Sequence, residues 1–132
     1  MTNRLLFLVL FPALLTPGCA EPTEGVVSGT IVVDGVPAEM GSIAFIPVDG
    51  LSSTAGASIT DGKYTAVVPL GSAKVQIRVN KKIGEKRIYN TPDSPIQPIL
   101  AEVLPPKFNN ETELLLDVKP GENQQDYDLT TK

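Results

Sequence analysis

The dipeptide Asp61-Gly62 separates Ala55 to Thr60 from Lys63 to Val68, two runs of strand-like composition. An Asp-Gly pair in that setting predicts a two-residue hairpin, because the turn that matches strand twist needs positive φ at both positions. Similar punctuation recurs along the chain. Val26 to Val33 stops at Asp34-Gly35 with Pro37 beyond, Ser42 to Val48 stops at Asp49-Gly50, and Pro69-Leu70-Gly71 makes a further break.

Alternation is clearest from Ala73 to Asn80. Ala73, Val75, Ile77 and Val79 point one way, and Lys74, Gln76, Arg78 and Asn80 the other, as in a half-buried strand. Leu114, Leu116 and Val118 alternate with Leu115, Asp117 and Lys119 ahead of Pro120-Gly121. Tyr127 and Leu129 mark a last short strand, with Asp126, Asp128 and Thr130 outside. Short strands, Gly/Pro turns and no long helical period predict an all-β fold, a single seven-stranded antiparallel sandwich over residues 25–132. Phe45 and Tyr64 are the expected core aromatics, each burying roughly 150–250 Å².

The segment Lys81 to Lys107 breaks this rhythm. Pro92, Pro95, Pro98, Pro105 and Pro106 exclude a long helix or a central strand. Ile99 to Leu104 is expected to pack on the sandwich as a short helix or an extra strand, and the sequence does not choose between them.

Ahead of the domain, Arg4 precedes an apolar stretch from Leu5 to Leu15. That is an export signal in pattern, and it is shorter than the roughly 18 apolar residues that span a bilayer. Gly18-Cys19 at its end resembles the lipobox of bacterial lipoproteins. The resemblance implies a signal peptide over 1–18, lipidation of Cys19 and a tether over 19–24, reaching about 17 Å from its five residues after the cysteine. The other reading is an ordinary secretory signal with a cysteine near the cut, which would leave the protein secreted or periplasmic. Cys19 is the only cysteine of the 132 residues, so no internal disulfide explains it.

The chain has no histidine, which removes His-based triads, His general bases and His metal sites. No serine stands beside a base motif. Asp34, Asp49 and Asp61 each precede glycine, as turn-forming aspartates do, and none lies in a dense calcium loop. A lysine–asparagine cross-link between an early and a late strand is not expected, since Val26 to Val33 has no lysine and Tyr127 to Thr131 no asparagine. The expected protein is therefore not an enzyme and holds no metal or cofactor. Its 15 acidic residues against 11 basic ones, a net charge of −4, argue against nucleic acid as a partner.

Against that acidic background the basic residues gather at Lys74, Arg78, Lys81, Lys82, Lys86 and Arg87. Such a cluster suits an anionic headgroup, an acidic glycan or a protein partner. The plainer account is that strand lysines keep a face soluble and discourage edge pairing. Tyr89 and Phe108 flank the Pro-rich segment and complete the candidate binding patch as stacking residues.

Several motifs together resemble the carboxypeptidase regulatory-like family of prealbumin- or transthyretin-like β-sandwiches. They are Val27-Ser28-Gly29-Thr30-Ile31-Val32-Val33-Asp34-Gly35-Val36-Pro37, Gly41-Ser42-Ile43-Ala44-Phe45-Ile46-Pro47, Thr60-Asp61-Gly62-Lys63-Tyr64 and Val68-Pro69-Leu70-Gly71. Leu104-Pro105-Pro106-Lys107-Phe108-Asn109-Asn110, through Val118-Lys119-Pro120-Gly121 to Tyr127-Asp128-Leu129, is similar to small planctomycete-type lipoproteins of this group. The resemblance implies a non-enzymatic lipoprotein of the cell envelope, held to a membrane by its N-terminal lipid and acting as a structural or protein-interaction module. The alternative is a glycan- or peptide-binding module using residues 81–108.

Overall fold

The computed structural model describes Gly18 and residues 21–132. Cys19 and the apolar leader lie outside the described residues. Ten strands follow in order: β1 (Glu24–Val33), β2 (Val36–Pro37), β3 (Met40–Pro47), β4 (Ala55–Thr60), β5 (Lys63–Pro69), β6 (Gly71–Arg87), β7 (Ile96–Glu102), β8 (Leu115–Val118), β9 (Gly121–Gln124) and β10 (Tyr127–Leu129). One 3₁₀ turn, Pro106–Phe108, stands between β7 and β8.

The strands make one curled sheet in the order β10-β1-β5-β4-β3-β6-β7, with β2 and β9 also on β1 and β8 also on β6. Turn chemistry explains the hairpins. Asp61 and Gly62 sit at φ 51° and 76°, and Asp34 and Gly35 at 50° and 81°, the left-handed pairs that tight hairpins require. Asp49-Gly50 behaves differently. Only Gly50 has positive φ, and the Asp49 carboxylate instead accepts the Leu51 and Ser52 amides at 2.9 and 3.2 Å, building a longer loop between β3 and β4.

The all-β class stands, while strand number and direction depart from seven antiparallel strands. Ten are present among the described residues, and β9 and β10 run parallel to β1. After β8 the chain crosses to β1 and follows it upward, first along Gly25 to Ser28 as β9, then along Ile31 to Val33 as β10. Between the two, the Gln125 amide donates to the Ser28 carbonyl at 2.9 Å. The Thr30 amide donates to Asp126 Oδ1 at 2.8 Å, and Tyr64 Oη donates to the Gln125 carbonyl at 2.5 Å. Gly29 lies under this crossing. A Cβ there would run into the Gln125 carbonyl.

Alternate residues of β1, β3, β5 and β6 turn inward to one core. Phe45, Ile43, Ile77, Val75, Val27 and Ile31 are among its fully buried large side chains, and the Phe45 and Tyr64 rings meet at 6.3 Å. The open choice at Ile99 to Leu104 falls to a strand as far as Glu102, which pairs with the far part of β6 instead of packing on the core as expected; only Val103 and Leu104 reach the core. β6 continues past Asn80 to Arg87, and β7 pairs back along it. The Val103 amide bonds the Val79 carbonyl and the Ile88 amide the Pro95 carbonyl, so 97, 99 and 101 face β6 while 96, 98 and 100 face outward. Pro98 thus forgoes no ladder bond, which is why this edge strand tolerates it.

Gly29→Ala should lower stability by about 2–3 kcal/mol in urea unfolding, since backbone must move. Gly84→Ala, whose Cβ would meet only the Ile99 side chain at 3.8 Å, should stay within about 0.5 kcal/mol. Burial raises the Tyr64 phenol, with Tyr127 and Asp126 adding to it, and pushes Tyr127 up to about 12. The folded state therefore holds these protons more tightly than the unfolded chain, whose phenols titrate near 10.0. Stability should be complete below that pH and fall as pH rises through 12. Urea midpoints across that range should show it, with a shallower fall in Tyr127→Phe.

Candidate functional site

From Ala73 to Val79, β6 buries every second residue, and from Lys81 to Arg87 it buries none. β7 is likewise exposed except at Ala101, which is half-buried. The two strands leave the core as a ribbon with both faces in solvent. Its seven β6 residues, at about 3.3 Å each, carry it roughly 23 Å beyond the core. Large apolar side chains stand open along it, including Ile83 at 66%, Tyr89 at 64% and Ile96 at 60% exposure.

A bulge between Lys82 and Gly84 decides which way each side chain points. Lys81 pairs with Ala101 and Lys82 with Leu100, then the register steps so that Gly84 pairs with Ile99, Lys86 with Gln97 and Arg87 with Ile96. One extra residue inverts the alternation on the bulged strand. Lys81 and Lys86 consequently share the inner face, continuous with the core side of the sheet, together with Ile99 and Ala101. Lys82, Glu85 and Arg87 share the outer face. The Lys82 ammonium and Glu85 carboxylate pair there, a contact the bulge makes available to residues three apart on a strand.

The six basic residues are thus not one patch. Lys74 and Arg78 lie on the body, opposite Ile46 and Ser42 of β3. Arg78 bonds Glu102 at 3.3 Å and Asn110 Oδ1 at 2.6 Å. Arg87 donates to the carbonyls of Thr91 and Pro92 at the ribbon tip. Among the described residues, Arg78 and Lys82 alone of the six have a carboxylate partner within 4.0 Å. Tyr89 is open at the tip. Phe108 is half-buried against the core, with Lys107 Nζ 5.0 Å from its ring centre, so the structure does not bring the two aromatics forward as a pair of exposed platforms.

At the foot of the ribbon lies a cleft of about 280 Å³. Val33, Val36, Pro37 and Ala38 wall one side, and Val79, Val103 and Lys81 the other, with Asp34 and Glu39 at its rim. The Asp34 carboxylate accepts the Thr131 hydroxyl at 2.7 Å and amide at 3.1 Å, and these bonds, the hydroxyl first, lower its pKa. Asp34 therefore ties the C-terminal residues to the cleft as a fixed negative charge.

Sequence reasoning missed the polar clamp that holds the base of the ribbon. Asn109 is buried, and its Nδ2 reaches Glu102 Oε1 at 3.1 Å and the carbonyls of Pro105 and Ile77 at 3.4 and 3.5 Å. Thr112 Oγ1 donates to the Val75 carbonyl at 2.6 Å. Both bonds to β6 fall where its outer edge has no strand partner between β7 and β8. The only signal was the Pro-Pro-Lys-Phe-Asn-Asn run, which has no periodicity to mark its asparagine as buried. Among the described residues no three metal-binding side chains converge, and no helix is long and apolar enough to cross a membrane.

No family model, curated protein or solved structure matches the chain.

Asn109→Ala leaves the Ile77 and Pro105 carbonyls and the Glu102 carboxylate at this joint without this donor. The expected cost is about 1–3 kcal/mol, with faster amide exchange at the start of the ribbon. Unchanged exchange at Val79 and Val103 would mean that the clamp does not hold the joint.

Proposed function

We propose that the chain is a non-enzymatic, membrane-anchored lipoprotein of the cell envelope. Its sheet is a prealbumin-like domain of the carboxypeptidase regulatory-like kind, serving as a structural or protein-interaction module. The ribbon is the observation that carries this reading. A two-stranded ribbon alone is marginal in water, and this one displays apolar side chains on surfaces that no part of the described chain covers.

The position of the tether supports the same reading. The Leu70 amide donates to the Thr23 carbonyl at 3.1 Å, so the chain enters β1 beside the turn at which β6 begins. Four successive antiparallel pairings link β1 to β6, giving the two strands the same sense. The ribbon therefore leaves from the end opposite the entry point. Because β1 already starts at Glu24, a lipid on Cys19 leaves only residues 20–23 free, about 13 Å of chain. A domain held that closely presents its ribbon away from the bilayer. The second reading, a peptide- or glycan-binding module, is favoured by the cleft at the ribbon foot.

Cys19→Ser should move the protein from the membrane to the soluble envelope fraction, because several acyl chains together anchor firmly. An unchanged distribution would remove the anchor from this proposal.

A further inference from the structure

Charge and shape are both sorted at the ribbon, and the sorting is uneven. On the outer face Lys82 is paired with Glu85, and Arg87 is turned to the tip carbonyls. On the inner face Lys81 and Lys86 stand with Gln97, Ile99 and Ala101 opposite, and β7 contributes no carboxylate there. Between the two lysines, Gly84 leaves Ile99 uncovered as a low apolar floor. Lys81 also lines the apolar cleft, so floor and cleft form one track.

We propose that this track binds an extended acidic peptide through one aliphatic side chain in the cleft and carboxylates on Lys81 and Lys86. The proposal rests on the reading of the protein as an interaction module and names its ligand class. With one residue bulged, the two lysines are about four strand steps apart, roughly 13 Å. Acidic residues four apart on an extended chain have that spacing and share a face. Asp34 and Glu39 at the cleft rim set the direction: carboxylates are repelled there and attracted along the ribbon. Strand addition is not the mode, because Pro98 interrupts the donors of the β7 edge and the Lys82–Gly84 bulge distorts the β6 edge. An anionic glycan would engage the lysines but make no use of the Val33, Val36, Val79 and Val103 walls.

The test uses the exported, processed chain carrying Cys19→Ser, whose binding in solution is independent of anchoring. It is applied to an array of acidic peptides in which an aliphatic residue is walked through every position. Lysine-for-glutamate counterparts and a sulfated polysaccharide serve as comparisons. Acidic peptides with the aliphatic residue several positions from the carboxylates should bind. Affinity in solution should fall about tenfold in Lys81→Glu/Lys86→Glu, fall similarly in Val36→Asp, and hold in Lys74→Glu. Thermal unfolding of each variant should match the parent, since all four side chains are exposed or line open surface. No acidic peptide binding, binding indifferent to the Lys81 and Lys86 reversals, or preference for the polysaccharide would overturn the proposal. A Cys19→Ser protein that still fractionates with the membrane would overturn the anchor and leave this result standing.

Discussion

β6 is the strand on which the rest of the molecule depends. Its first half inserts Ala73, Val75, Ile77 and Val79 into the core while pairing with β3 on one side and β8 on the other. Its second half abandons burial and keeps only β7. A single unbroken strand therefore transmits the rigidity of the core into the ribbon. That continuity offsets the weakness of an isolated hairpin in water. It also explains the buried polar residues nearby. Where β6 passes from body to ribbon, Asn109 and Thr112 supply the bonds that strands supply elsewhere.

The hairpins and the core were largely legible in the chain, and for identifiable reasons. Asp61-Gly62 and Asp34-Gly35 encode a backbone conformation that few other pairs accept. The alternation from Ala73 to Asn80 encodes one buried face. Asp49-Gly50 has the same composition and a different outcome, because its carboxylate is used on the amides that follow. β9 was not legible at all. Gly121-Glu122-Asn123-Gln124 has no apolar residue, and it is a strand only because β1 offers it an edge. The parallel course of β9 and β10 is likewise a long-range fact. It depends on Gly29 being small enough for Gln125 to pass, which no local pattern announces.

The basic cluster illustrates how one backbone irregularity can override sequence proximity. Lys81, Lys82, Lys86 and Arg87 are near neighbours in the chain, and a regular strand would have put Lys82 and Lys86 on one face and Lys81 and Arg87 on the other. The bulge before Gly84 reverses that assignment beyond it. Lys86 joins Lys81 and Arg87 joins Lys82, while Glu85 comes round to neutralise Lys82. On the outer face Lys82 is thus neutralised and Arg87 turned to backbone carbonyls, while among the described residues neither inner-face lysine has a carboxylate partner within 4.0 Å. A lysine-rich edge and the proposed binding surface are accordingly not rival accounts of the same residues, since the bulge puts Lys82 and Arg87 on one face and Lys81 and Lys86 on the other.

The same economy governs the two edges of the ribbon. An exposed, regular strand edge is a template for unwanted pairing, and a ribbon that projects from its core has two. Pro98 occupies an outward-facing position on one, where its missing amide costs the ladder nothing, and the irregularity at Ile83 disrupts the other. With both edges blunted, the faces are what the ribbon offers to solvent. Of these, only the inner face continues into a cleft with apolar walls. The bulge therefore acts twice, protecting an edge and sorting the charges of a face. Removing Ile83 to restore regular pairing would undo both effects together.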